Sequence, residues 1–160
     1  MTKTPVQFKL NGSDVAGFAD SGENLLDFLR RRVGDLSPKY GCGQGACGTC
    51  TVIIDGEIHL SCLTFAETVN GRDVRTASGL GRGGKLSPLQ TAFMDGFAAQ
   101  CGFCTPGMLM AATALLERDA NPSRSEVEEA ISGNICRCTG YEPIIDAILN
   151  AAGEMRRTNQ

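Results

Sequence analysis

GCGQGACGTCTV, residues 41–52, sets cysteines at 42, 47 and 50, and a fourth follows at 62. Cys-x4-Cys-x2-Cys with a separate fourth cysteine is the plant-type spacing for a [2Fe–2S] cluster, in which four thiolates hold two irons. Zinc is the competing reading. Structural zinc sites favour two Cys-x2-Cys pairs, and this half of the chain has one, with Cys42 and Cys62 outside it. Glycines 41, 43, 45 and 48 crowd the same loop. They suit a backbone that wraps closely around a cluster and aims its N–H groups at sulfur.

The other four of the eight cysteines form a second group, Cys101-x2-Cys104 and Cys136-x-Cys138. On spacing alone this group is compatible with zinc, a [2Fe–2S] cluster or, less comfortably, a [4Fe–4S] cluster. A disulfide within Cys136-x-Cys138 is disfavoured by geometry. Two complete quartets with no cysteine left over point to two clusters and to electron transfer.

The bulk properties agree with a folded, soluble carrier. The chain has 160 residues, 42% apolar and 21% charged, enough for one ordinary domain or two small ones. A net charge of −3 gives no reason to expect nucleic acid or a membrane surface as partner. The start MTKTPVQFKL has neither an apolar targeting core nor twin arginines, so a cytoplasmic location is expected. There thiols stay reduced and cysteines serve metals. Export within a complex, on a partner's signal, stays open.

Along the chain, Val6, Phe8 and Leu10 alternate with polar residues as a strand does, and Asn11-Gly12 turns it. Leu25, Leu26, Leu29 and Val33 share a helical face. Thr51 to Ile54 is an apolar strand, Asp55-Gly56 a turn, Glu57 to Leu60 its partner strand, and Val74 marks a last short strand. The glycine-rich stretch ASGLGRGGKLS, residues 77–87, reads as a linker. Helical patterns follow. Ser87-Pro88 starts one whose face is Leu89, Ala92, Phe93 and Phe97, and Thr105-Pro106 starts a second carrying Leu109, Ala112, Leu115 and Leu116. Ser123 with Glu126 forms a capping box for a third, and Ile144, Ile145, Ile148 and Leu149 mark a fourth. The tail from Met155 to Gln160 is expected to fray. The fold class is therefore α+β: residues 1–78 a β-grasp plant-type [2Fe–2S] ferredoxin domain, 79–87 a linker, and 88–160 an all-α four-helix domain holding the second quartet.

Three strings, GCGQGACGTCTV (41–52), QCGFCTPGM (100–108) and GNICRCTGY (133–141), resemble the iron–sulfur subunit of the molybdenum hydroxylases, the xanthine dehydrogenase and aldehyde oxidase family. The likeness covers nearly the whole chain. It implies two [2Fe–2S] clusters here, with Cys42, Cys47, Cys50 and Cys62 holding one and Cys101, Cys104, Cys136 and Cys138 the other. It implies a large partner subunit that carries the molybdopterin cofactor and does the hydroxylation. A medium FAD-binding subunit or a cytochrome-bearing acceptor, and a dimer of heterotrimers, follow from the same likeness. Gln100 matches the glutamine that hydrogen-bonds the pterin, and the segment around Cys138 approaches the same pterin edge. Thr49 stands where alanine is frequent, and Thr76-Ala77-Ser78 replaces a more usual isoleucine–glutamate; neither removes a ligand.

His59 is the only histidine, and a Rieske centre needs two, so it reads as an ordinary strand residue. Met108 and Met110 read as packing or subunit contacts. The first cluster is expected nearer solvent and the second buried against a partner. No constellation for bond-making catalysis is present, which leaves substrate chemistry to a partner. The reading is an electron-transfer subunit of a molybdenum-dependent oxidoreductase. Its rivals are a free-standing ferredoxin-like carrier and a zinc-stabilised interaction module.

Overall fold

The structure is a computed structural model that describes residues 3–158. Strands come first: β1 (Lys3–Leu10), β2 (Ser13–Asp20), β3 (Thr51–Ile54), β4 (Glu57–Leu60) and β5 (Asp73–Arg75). They form one mixed sheet in the order β2-β1-β5-β3-β4, with β1 parallel to β5 and the other pairs antiparallel. Both hairpins turn at the expected dipeptides. Asn11-Gly12 and Asp55-Gly56 all have positive φ, between 51° and 91°, which matches the twist of the flanking strands.

The helix after β2, α1 (Leu25–Asp27), is capped by the Asn24 side chain, which accepts the Asp27 N–H at 2.8 Å. It passes at once into a π-helical turn over Phe28–Val33. Phe28, at the i+3 position of an ordinary helical face, joins Leu25 and Leu29 in the sheet core, while Val33, at the end of the wider turn, is only half-buried.

Helices follow: α2 (Pro88–Asp95), α3 (Thr105–Arg118), α4 (Arg124–Ile131) and α5 (Glu142–Thr158). Reciprocal capping boxes, Ser87 with Gln90 and Ser123 with Glu126, start α2 and α4. Met108 and Met110 are fully buried in the helical core, as packing residues are. Two expectations fail. Phe97 does not share the α2 face: the helix stops at Asp95, and Phe97 takes a left-handed φ of 51° that leaves it 82% exposed. The tail from Met155 does not fray within the described residues. It is the last turn of α5 as far as Thr158, with Met155 packed on the helical core and Arg156 donating to the Ala120 carbonyl at 2.8 Å. Residues 159 and 160 lie outside the described residues.

Strand β3 joins the two halves. Its four residues are all buried: Val52 and Ile54 face the sheet core with α1, whereas Ile53 packs among the helices. Burial on both faces explains why TVII reads as a continuous apolar run instead of alternating. Across the same junction Arg75 of β5 and Glu117 of α3 form a two-pronged ion pair, both contacts 2.6 Å. The 77–87 segment is itself ordered. Ala77 is buried in the helical core, and Arg82 and Lys85 exchange backbone hydrogen bonds of 3.0 Å around Gly83-Gly84. The fold class is α+β, with the cysteine loops at the meeting of sheet and helices.

Candidate metal centres

The first quartet is delivered by the loop before β3 and by the turn after β4. Cys50 and Cys62 are buried; Cys42 and Cys47 are half-buried. Backbone amides converge on the outer pair: Gln44 and Ala46 donate to the Cys42 sulfur at 3.5 and 3.2 Å. The Gln44 amide, with help from Cys47, pulls the Cys42 thiol down to about 6. Burial pushes Cys62 up to about 11, and its neighbour Cys50 adds to the rise. The sulfurs thus fall into two pairs, Cys42 with Cys47 and Cys50 with Cys62.

The second quartet has the same form. Cys101 and Cys104 stand just before α3, and Cys136 and Cys138 in the loop between α4 and α5. The Cys101 and Cys138 sulfurs are 3.4 Å apart and exposed, while Cys104 and Cys136 are buried. The Phe103 amide pulls Cys101 down, and the contact with Cys101 pushes Cys138 up. Burial, then Cys136, pushes Cys104 up to about 12. Burial also works upward on Cys136, but the Thr139 hydroxyl and other donors outweigh it and the net shift is down. In the chain alone the second quartet is the more open one, with two exposed cysteines against none in the first.

Four thiols arranged as two pairs suit a two-iron core, where each iron takes two thiolates and the remaining coordination comes from the bridging sulfides. Among the described residues no three His, Cys, Asp or Glu side chains close on a single ion. The donor set is wholly thiolate, which is what [2Fe–2S] clusters use. His59, half-buried opposite Val52 in the β3–β4 ladder, stands apart as a strand residue.

The two cysteine loops touch. Ile135 donates its backbone N–H to the Cys47 carbonyl at 2.9 Å, and the buried Asn134 donates its side chain to the Gly48 carbonyl at 2.8 Å. Gly48 has φ 69°, and a Cβ there would meet the Gly133 oxygen at 2.5 Å, so only glycine permits the approach. Asn134 and Ile135 lie within the GNICRCTGY string, but the sequence assigns neither a role; the only local cue is an asparagine two residues before a cysteine. Gln100, one residue before Cys101, is exposed in the loop between α2 and α3, as is Phe103 of the same loop, at 47%.

Comparison with known proteins bears on the same residues. Residues 8–78 match the family described as "2Fe-2S iron-sulfur cluster binding domain", and residues 76–149 the one described as "[2Fe-2S] binding domain". The chain is therefore an iron–sulfur protein with two [2Fe–2S] clusters. It is 45% identical to the nicotine 6-hydroxylase small subunit of Paenarthrobacter nicotinovorans over 98% of this chain and 94% of that one. It is 42% identical to the xanthine dehydrogenase iron-sulfur-binding subunit of Escherichia coli O157:H7, over 91% and 92%. In the solved quinoline 2-oxidoreductase of Pseudomonas putida 86 a chain superposes with a TM-score of 0.93 at 45% identity, 97% of both chains being covered. Against the aldehyde oxidoreductase of Megalodesulfovibrio gigas, 42% identical, this chain spans 16% of the length. The chain belongs to the small iron–sulfur subunits of the molybdenum hydroxylase family, the xanthine dehydrogenase and aldehyde oxidase group. As such it is the electron-transfer part of a molybdenum-dependent oxidoreductase whose substrate chemistry lies elsewhere. Among the described residues no helix is long and apolar enough to cross a membrane.

Proposed function

We propose that this chain is the electron relay of a heteromeric molybdenum hydroxylase, carrying electrons from a partner's molybdopterin centre to a partner's FAD or another acceptor. The observation that carries the reading is the contact between the two cysteine loops. From Cys47 the connection runs through its own carbonyl, one hydrogen bond and the Ile135 amide, and the next residue is Cys136. Each cluster, when bound, supplies a site that gains and loses one electron. Cys42, Cys47, Cys50 and Cys62 would hold the first cluster, and Cys101, Cys104, Cys136 and Cys138 the second.

The protein's own work is to fix that spacing, to set the charge around each sulfur and to dock two partners. The exposed face with Cys101, Cys138, Gln100 and Phe103 is the side toward the large molybdopterin subunit, where Gln100 and the segment around Cys138 meet the pterin edge. An amide that both donates and accepts suits that polar edge. Tyr40 and Leu63, which lie against Gly43 and Gly45 of the first cysteine loop, and Phe65 are exposed by 56%, 59% and 51% and suit the medium FAD subunit, because exposed apolar groups of this size mark contact surfaces. The assembly is a dimer of such heterotrimers in the cytoplasm. Residues 1–78 act as a β-grasp ferredoxin unit, 79–87 as the connection and 88–160 as the four-helix unit.

Elemental analysis of anaerobically purified protein tests the reading. About four irons per chain, two for each cluster, with little zinc, is the expected result. Stoichiometric zinc, or half that iron, overturns it.

A further inference from the structure

Thr139 lies in the loop between α4 and α5, and its hydroxyl oxygen is 3.0 Å from the Cys136 sulfur. The same oxygen accepts the Tyr141 N–H at 3.2 Å. A hydroxyl has one hydrogen to give and lone pairs to accept with. With the amide already accepted, its own hydrogen is left for sulfur. A ligating Cys136 is a thiolate without a hydrogen, so the direction of this bond is then fixed: Thr139 donates.

Tyr141 holds the arrangement from two sides. Its backbone amide orients Thr139, and its phenol oxygen accepts the Cys136 N–H at 2.9 Å, which occupies that amide. Tyr141 does this at φ 71°, a conformation uncommon for a residue with a bulky side chain. A second hydroxyl stands next in sequence to the other buried cysteine of the quartet. Thr105 follows Cys104, and its Oγ1 is buried without a hydrogen-bond partner. A buried polar atom left unpaired calls for an explanation such as a missing group. The first quartet differs. There the Thr49 hydroxyl is 3.3 Å from the Cys47 sulfur, but the Lys39 carbonyl, 3.2 Å away, competes for its single hydrogen.

We propose that Thr139, oriented by Tyr141, donates an O–H···S hydrogen bond to Cys136 and thereby raises the reduction potential of the second cluster. Reduction adds negative charge to the cluster and its sulfurs. A donor to a ligand sulfur stabilises the reduced form more than the oxidised one, so the potential rises. Thr139 is a positioning and tuning residue, because it acts through Cys136 and touches no substrate. The inference rests on the reading that Cys136 ligates the second cluster.

The test is a redox titration of the intact complex, followed by EPR of each cluster. In Thr139→Val, which keeps the shape and removes the hydroxyl, the midpoint of the signal that Cys136→Ser disturbs should fall, with the other unmoved. Thr139→Ser should restore the wild-type value. In the wild type, that signal should also carry deuterium-exchangeable proton couplings, from the Thr139 hydroxyl and from the backbone N–H donors around the sulfurs. Thr139→Ser should keep the full set, and Thr139→Val should lose one coupling while the backbone ones remain. Unmoved midpoints in Thr139→Val, equal shifts of both signals, or an unchanged set of couplings in Thr139→Val would each overturn the inference. Failure of the ligand reading looks different: Cys136→Ser would then leave both signals and the full iron content in place.

Discussion

Asn134 donates its side-chain amide to the Gly48 carbonyl at 2.8 Å, across 86 positions of sequence, and so ties the loop of one cysteine quartet to the loop of the other. The same carbonyl accepts the Thr51 hydroxyl at 2.7 Å, and Asn134 is 5% exposed. Asn134→Ala removes a buried donor and leaves a small void, so it should destabilise the protein by about 1–3 kcal/mol. Gly107→Ala should cost more, because its Cβ would overlap the Gly48 carbonyl oxygen, a backbone atom that cannot swing aside. Urea unfolding of the two variants checks the order. Equal stability of Gly107→Ala and wild type would show that the first turn of α3 is not packed against the Gly48 loop.

Arg75 and Glu117 clamp sheet to helices through a paired contact on a partly open surface, with 30% and 47% of the side chains exposed. Their coupling should therefore be modest, about 0.2–1 kcal/mol in a double-mutant cycle, and smaller at high salt. Arg75 holds the Glu117 carboxyl below its usual range. A carboxylate lowered in the fold contributes stability that is present above its unfolded value and lost as the pH falls through the folded one. The coupling should thus be full at neutral pH and fade only in acid below the ordinary carboxylate range. The cycle Arg75→Met with Glu117→Gln, read by urea unfolding across pH, measures it, and acid effects on the clusters common to all four proteins cancel.

In the cluster-free chain the thiols should differ sharply in reactivity. Cys42, held at about 6 by the Gln44 amide, is largely thiolate at neutral pH, and Cys101 is shifted the same way. Cys62 and Cys104, at about 11 and 12 through burial, are not. Thiolate is the alkylating nucleophile. Iodoacetamide at neutral pH should therefore label Cys42 first and Cys62 and Cys104 last, as peptide mass spectrometry will register.

The local devices were legible in the sequence: the cysteine spacings, the Asn11-Gly12 and Asp55-Gly56 turns, and the Ser123–Glu126 capping box each depend on residues a few positions apart. One misreading arose where the chain left the regular helix: Phe97 left the core because α2 ended two residues earlier. Asn134 with Gly48, Ile53 among the helices and Arg75 with Glu117 join distant parts of the chain, and no spacing encodes them. The cysteine quartets could be listed from sequence; their division into sulfur pairs needed the folded loops.

The central claim is that two separate clusters sit in this one chain, one in each cysteine quartet. EPR of the reduced protein tests it most directly. Exposure, hydrogen bonding and local charge differ between the quartets, and these set cluster properties, so two separable signals are expected. Cys47→Ser should disturb one of them strongly and leave the other nearly intact. A single signal, lost entirely in Cys47→Ser, would contradict the account.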